Sequence, residues 1–414
     1  MSLNARIAAA LFLLVGLVLC APAMHSQKHS DAAGAHGASI PAPDLARSLP
    51  APPQSHSDTP MATEERLDAP GWWPTKRSTL RTDYTGPAEC AKCHAKISTS
   101  QLTTPMAQAS STAANSEILR QHAQITLQRG PYRYEISRTP AGTAYSVGDG
   151  KNKISEPLLW GFGLGNKGQT FLYQRGGFFY ESRMSFYKSI QSLDLTAGHG
   201  SKTPDSLEDA LGRLIDPDTL RRCFACHTTA AVTAEGFDPS RFIPGVSCEA
   251  CHGPGARHAA LMDEEKNAQG RLAIFDPSRL SPVALVDFCG ACHRTWNDVY
   301  ELGATGVANA RFQPYRLENS RCWGDGDARL TCIACHNPHQ PLVHDPNAYD
   351  EKCLACHITD SNREVSPQHP GKACPVAKKD CVTCHMPRVL VPVMHAPFTD
   401  HRIRIVRAGQ PYPD

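Results

Sequence analysis

The stretch Gly245-Val246-Ser247-Cys248-Glu249-Ala250-Cys251-His252-Gly253-Pro254-Gly255-Ala256-Arg257-His258 decides how this chain is read. Two thiols one helical turn apart, followed at once by an imidazole, form the attachment signature of a c-type haem. Both thiols can add to the vinyl groups of one porphyrin, and the adjacent histidine then lies under the iron as an axial ligand.

The same pattern occurs seven times. The other copies are Cys90-Ala-Lys-Cys93-His94, Cys223-Phe-Ala-Cys226-His227, Cys289-Gly-Ala-Cys292-His293, Cys332-Ile-Ala-Cys335-His336, Cys353-Leu-Ala-Cys356-His357 and Cys381-Val-Thr-Cys384-His385. Zinc sites usually combine two Cys-x-x-Cys pairs per metal and need no histidine after each pair. A disulfide framework also leaves the seven histidines unexplained. The pattern therefore predicts seven c-type haems (haem c, each with its iron), with His94, His227, His252, His293, His336, His357 and His385 as proximal ligands.

The chain has 414 residues, of which 17 are cysteine and 19 histidine. Aromatics make up only 7%, against 30 glycines and 33 prolines. A core built from such side chains alone is modest, so the porphyrins are expected to supply much of the interior, and the haem-free chain is not expected to fold. The formal charge is +2. Two propionates per haem would turn this near-neutral chain acidic. No nucleic-acid partner is inferred.

Each iron needs a second axial ligand or stays open. Beyond the proximal set and the N-terminal histidines His25, His29, His36 and His56, the candidates are His122, His199, His258, His339, His344, His369, His395 and His401, with Met106 as a thioether alternative. Mainly bis-His coordination is expected, which suits electron transfer because ligation changes little with oxidation state. No Cys-x-x-Cys-Lys motif signals a lysine-ligated catalytic haem. Cys322 and Cys374 remain outside the motifs and could pair in an oxidising compartment.

The N-terminus reads as a cleavable signal segment over 1–23: Arg6, an apolar run from Ile7 to Cys20, then Ala21-Pro22-Ala23. An uncleaved anchor and a lipid-modified Cys20 are the alternatives. A disordered Pro/Ala/His-rich tether over 24–83 follows. A first haem segment spans 84–119, a β-rich insert 120–200, and a six-haem module 201–414. The insert is read from alternation at Tyr132-Arg133-Tyr134-Glu135-Ile136 and Thr170-Phe171-Leu172-Tyr173, with turn signals at Arg129-Gly130-Pro131, Gly148-Asp149-Gly150 and Arg175-Gly176-Gly177. The fold class expected is mainly α with extensive loops, organised around stacked haems, with the β-rich insert small.

Several segments resemble the multihaem proteins of the cytochrome c-554 type. They are Tyr84-Thr85-Gly86 running into Cys90, Thr104-Pro105-Met106-Ala107, the opening stretch above, Cys332 to His339, Cys384-His385-Met386-Pro387, and Phe398-Thr399-Asp400-His401. The resemblance covers roughly 84–405. It implies a mostly helical fold with stacked and angled haem pairs, an electron-transfer role, and His258 as distal ligand to a neighbouring haem. The tetrahaem members have fewer motifs than this chain, so distal pairing is not transferred wholesale.

These readings favour an exported electron carrier, periplasmic or extracellular. Its partners would be redox-protein donors and acceptors, with a membrane-associated quinol-oxidising complex as one candidate and the oligomeric state open. Two alternatives are carried. One is a multihaem reductase or oxidase of small nitrogen or sulfur compounds, with one open haem and polar groups such as Arg257, Tyr300, Arg321 or His344 above it. The other is a subunit of an extracellular cytochrome filament.

Overall fold

The computed structural model describes residues 81–233, 236–323, 327, 330–357, 374–410 and 412–413. The expected signal segment, nearly all of the tether and the candidate ligand His369 lie outside these residues.

The dominant element is antiparallel. Strands β1 (Ser110–Thr112), β2 (Gln124–Arg129), β3 (Tyr132–Thr139), β4 (Gly142–Gly148), β5 (Lys153–Phe162), β6 (Thr170–Arg175) and β7 (Phe178–Ser182) form a sheet with β10 (Gly212–Leu214). The order is β10-β7-β6-β5-β4-β3-β2, with β1 pairing β5. Strands β8 (Met184–Tyr187) and β9 (Ser192–Leu195) form a separate hairpin.

Local chemistry sets the turns. Between Arg175 and Phe178, paired across β6 and β7, the loop is Gly176-Gly177, with φ of 57° and 84°. Two successive left-handed residues match the twist of a two-residue hairpin, and glycine adopts them without steric cost. Between β4 and β5, the Asp149 carboxylate accepts from the backbone N–H of Lys151 and Asn152 at 2.8 and 2.7 Å. Along β3, Tyr132, Tyr134 and Ile136 are buried at every second position. They pack with Tyr145, Val147, Phe171, Tyr173, Met184 and Phe186 in one core. Burying each such side chain contributes about 1.5–3 kcal/mol.

A second core joins the sheet to the haem motifs. The β5–β6 register shifts between Leu158 and Trp160. Leu158 packs in the first core, whereas Trp160 and Phe162 pack in the second. There Phe224 meets Phe162 and Trp160 edge-on, at ring separations of 5.1 and 5.2 Å.

Each motif begins on one of seven helices: α1 (Pro87–Leu102), α2 (Pro217–His227), α3 (Cys248–His252), α4 (Pro282–His293), α5 (Cys332–Cys335), α6 (Asp350–Leu354) and α7 (Cys381–His385). Three begin with proline and a turn signal. Asp216 caps α2 through Thr219 N–H and Ser281 caps α4 through Ala284 N–H, while Gly86 with φ 81° opens α1. Helix α1 loses helical geometry at His94.

The expectation of a mainly α fold with a small β-rich insert is overturned, because the chain is mixed α and β with a large curled antiparallel sheet. Two physical reasons account for the difference. Strands β1 and β10 join the sheet from outside the alternating stretch. A haem motif needs only one helical turn, so α3, α5 and α7 span 5, 4 and 5 residues and add little helix. A further hairpin, Arg388–Val391 with Ala396–Thr399, follows α7.

Candidate haem sites

Proximal histidines meet histidines from other parts of the chain in three places. The rings of His94 and His258 lie 6.5 Å apart with planes at 20°, and those of His252 and His339 lie 5.9 Å apart at 9°. His336 and His401 lie 6.1 Å apart at 46°. Two imidazoles bound on opposite faces of one metal through bonds of about 2 Å have ring centres roughly 6 Å apart. The donor sets therefore fit a six-coordinate haem iron at each of these three places. Among the described residues no group of three or more His, Cys, Asp or Glu side chains gathers as a metal cage. None of the fourteen motif cysteines is in a disulfide.

The tautomers also fit ligation. His252 Nδ1–H donates to the Phe275 carbonyl at 2.8 Å, His258 to Gly270 at 2.8 Å, and His385 to Arg404 at 2.9 Å. His401 donates to Thr399 at 3.0 Å and His227 to Ala109 at 3.3 Å. A carbonyl only accepts, so the proton sits on Nδ1 and Nε2 keeps the lone pair that a metal needs. Burial pushes His401 down to about 4 and holds His227, His293 and His336 below the usual imidazole value. These rings are neutral at physiological pH, which is the ligating form.

The other candidates are placed differently. His199 Nε2 bonds the Glu181 carboxylate at 3.1 Å, and Arg213 reaches that carboxylate at 2.6 Å. His395 Nε2 bonds Asp194 at 2.9 Å and its ring meets Tyr187 at 4.7 Å. His122 donates Nδ1–H to Ile118 at 2.9 Å and packs on Phe186 beside the sheet core. His344 is exposed. Met106 is half-buried, and its carbonyl accepts from Val246 N–H at 2.9 Å, two residues before Cys248. Of the groups considered for an open site, Arg321 is exposed and lines a cavity with Arg402 and Arg404. Cys322 and Cys374 are each free, so no bridge joins them.

The motifs are held next to one another in a definite pattern. The Cys90 and Cys248 side chains lie beside each other, as do those of Cys289 and Cys332 and of Cys353 and Cys381. Cys226 Sγ approaches the Ala291 carbonyl at 3.5 Å, which sets α2 against α4.

Two carboxylates that the sequence reading did not single out make these contacts. Glu249, inside the third motif and 1% exposed, accepts from the backbone N–H of Thr85, Gly86 and Gly255, each at 2.8 Å. It thereby fixes the entrance of α1 to α3. Asp350 accepts from Asp380 N–H at 2.7 Å and Cys381 N–H at 2.9 Å, and so ties α6 to the start of α7. The available signal for Glu249 was a carboxylate at an interior motif position, where water cannot solvate it and backbone donors must. Gly245 allows a further close approach: its φ is 71°, and a Cβ there would lie 1.7 Å from the Ala107 carbonyl oxygen.

The family profile described as cytochrome c554 and c-prime matches residues 181–253, which include the second and third motifs. The multihaem cytochrome MtrA of Shewanella baltica is 24% identical over 210 residues, covering 45% of this chain and 52% of that protein. This chain thus spans about half the length of that curated relative. The outer cell wall cytochrome OcwA aligns with 78% of this chain and 80% of its own, at a TM-score of 0.45 and 15% identity. The motifs, the family profile and the sequence match to MtrA support a multihaem cytochrome c whose work is electron transfer. No helix of the described residues is long and apolar enough to cross a membrane.

Proposed function

We propose that this chain is an exported heptahaem cytochrome that conducts electrons between redox proteins, through closely spaced and mainly bis-His haems. The observation that carries the proposal is the set of three facing histidine pairs, at 5.9 to 6.5 Å, each combining a motif histidine with one supplied from elsewhere. Bound at such sites, haem iron supplies one-electron redox chemistry. The chain's own contribution is to hold each attachment motif against the next.

The thiol contacts support a spatial order that departs from sequence order. The first motif lies beside the third, the fourth beside the fifth and the sixth beside the seventh. The second rests against the fourth. The third is linked to the fifth, because His339, three residues past His336, faces His252. The Cys353 thiol feels Cys335, which links the fifth motif to the sixth. On this reading the conduit runs through the first, third, fifth, sixth and seventh motifs, with the fourth and second as a side branch. A periplasmic or extracellular location and soluble or membrane-attached redox partners belong to the same proposal.

Electron paramagnetic resonance of the oxidised, haem-loaded protein tests it, alongside intact mass for the haem count and the mature N-terminus. Seven haems with every ferric iron low-spin is the expected result. A high-spin ferric iron that shifts on adding nitrite or hydroxylamine would replace the conduit with an enzyme.

A further inference from the structure

Arg311 carries a positive charge that the described residues leave without an anion. It ends the short 3-10 helix Gly306–Arg311, beside the hairpin of Arg388–Val391 and Ala396–Thr399. The side chain is half-buried. Its guanidinium lies 4.7 Å from the centre of the Phe312 ring, and Nη1 approaches Met394 Sδ at 3.9 Å. Nε is sealed from solvent and has no partner. Among the described residues no carboxylate forms an ion pair with Arg311, and the charge it feels is that of a second cation, Arg294. Burial, and then Arg294, hold the Arg311 pKa below the usual guanidinium value. Arg294 does have a carboxylate, since Asp298 Oδ1 lies 3.6 Å from its Nη1. The other oxygen of Asp298 accepts from Thr295 N–H at 3.1 Å and caps the helix Trp296–Glu301. That carboxylate is committed, so the two neighbouring cations keep one positive charge unmatched. Taking a cation out of water costs several kcal/mol unless an opposite charge meets it.

Two observations place this charge at the fourth motif. Arg294 directly follows His293. Gln313, two residues past Arg311, has its side chain beside the His293 ring. In a haem attached through Cys289 and Cys292 the thioether bonds occupy one edge of the porphyrin, and the two propionates leave from the opposite edge. Those carboxylates must be met by residues outside the motif.

We propose that Arg311 is the seat of a haem carboxylate, holding a propionate of the haem attached at Cys289 and Cys292 with Arg294 beside it. This rests on the haem reading above. With Nε sealed in, Nη1 and Nη2 are the donors left to meet the carboxylate, and the planar guanidinium fork matches its two oxygens.

The test uses haem-loaded wild type, Arg311→Met and Arg311→Lys, with peptide mass mapping to establish that Cys289 and Cys292 carry haem in each. The propionate bending bands are read by resonance Raman difference spectra, the haem potentials by potentiometric titration, and stability by thermal melting. In Arg311→Met the band of one propionate should shift. One haem should also titrate at lower potential, because a propionate no longer neutralised favours the ferric iron. Arg311→Lys should restore the potential but not the band, since lysine is a point charge without the fork. Bands and potentials identical to wild type in both variants, with haem in place at Cys289 and Cys292, overturn the proposal. Arg311→Met would then melt no lower than wild type, having lost only an unpaired charge. Should Arg311→Met load haem poorly, Arg311→Lys decides by the band alone, because it keeps the charge. A wild type without haem at Cys289 and Cys292 would sink the proposal together with the heptahaem reading, which the mass map separates from a failure of Arg311 alone.

Discussion

A histidine is made into a ligand by what holds its other nitrogen. His258 and His401 have Nδ1 tied to backbone carbonyls and lie with their rings 6.5 and 6.1 Å from a motif histidine, whereas His199 and His395 have Nε2 spent on carboxylates. Replacing His258 with methionine is expected to leave the haem at Cys90–His94 low-spin and raise its reduction potential, because a thioether ligand favours the ferrous state. A potentiometric titration identical to wild type would assign His258 to another role. His199→Ala and His395→Ala are expected to leave the haem absorption spectrum unchanged. The proposed proximal set is read from contiguous residues, motif and histidine together. The distal set was legible only as a pool of candidates. Nothing local in the sequence distinguishes an imidazole that faces a motif histidine from one that faces Asp194, because the partner lies far along the chain.

Elements are registered by carboxylates that gather backbone donors. Hydrogen bonds to a charged acceptor each contribute about 1.5–3 kcal/mol net. Glu249→Gln keeps the size but loses the charge that serves three amides. It is expected to lower stability by about 2 kcal/mol. Amide exchange at Thr85 and Gly86 should quicken while exchange in β3 and β4 stays unchanged; uniform protection would show that α1 is fixed by something else. Gly245→Ala should be worse, because its Cβ meets backbone that cannot yield, and the first haem segment should then become protease-sensitive. At this scale the sequence told most about turns. Gly176-Gly177 became the β6–β7 loop, and Arg129-Gly130-Pro131 closed the β2–β3 hairpin. It told least about β1 and β10, three residues each, whose strand character comes from pairing with β5 and β7 rather than from alternation of their own.

Across the whole molecule, the C-terminal segment is locked by the pair Arg316–Asp400, both fully buried. Removing one partner of such a pair costs about 3–5 kcal/mol, so Arg316→Met should lower the melting temperature markedly. Burial works to raise the Asp400 pKa, but its bonds to Arg316 and Arg404 and to the Arg402 amide hold it below the usual value. A depressed folded pKa adds stability above the unfolded value of about 3.9, and that share is lost as pH falls through the folded pKa. Acid unfolding of Asp400→Asn should therefore be flatter with pH below about 4 than that of wild type; parallel curves would exclude this contribution. The two cores also differ in dependence on haem. The sheet core contains no cysteine, whereas Cys223, Cys251 and Cys289 pack into the other. A chain with every motif cysteine replaced by alanine should retain a protease-resistant fragment near 110–214 and lose the rest.

The clasp of Glu249 on Thr85 and Gly86 also bears on timing. A chain emerges from its N-terminus, so the first motif appears long before the residues that complete it. Its thiols could accept a porphyrin early, yet His258 and the carboxylate that positions α1 arrive only after the sheet has been made. The sheet thus has its own interval in which to form while the first motif waits for the third, which under the proposed pairing supplies its second histidine. Slow passage through 110–214 would lengthen that wait, and under the proposed His94–His258 pairing any step that inserts the first haem would have to tolerate an iron whose second histidine does not yet exist.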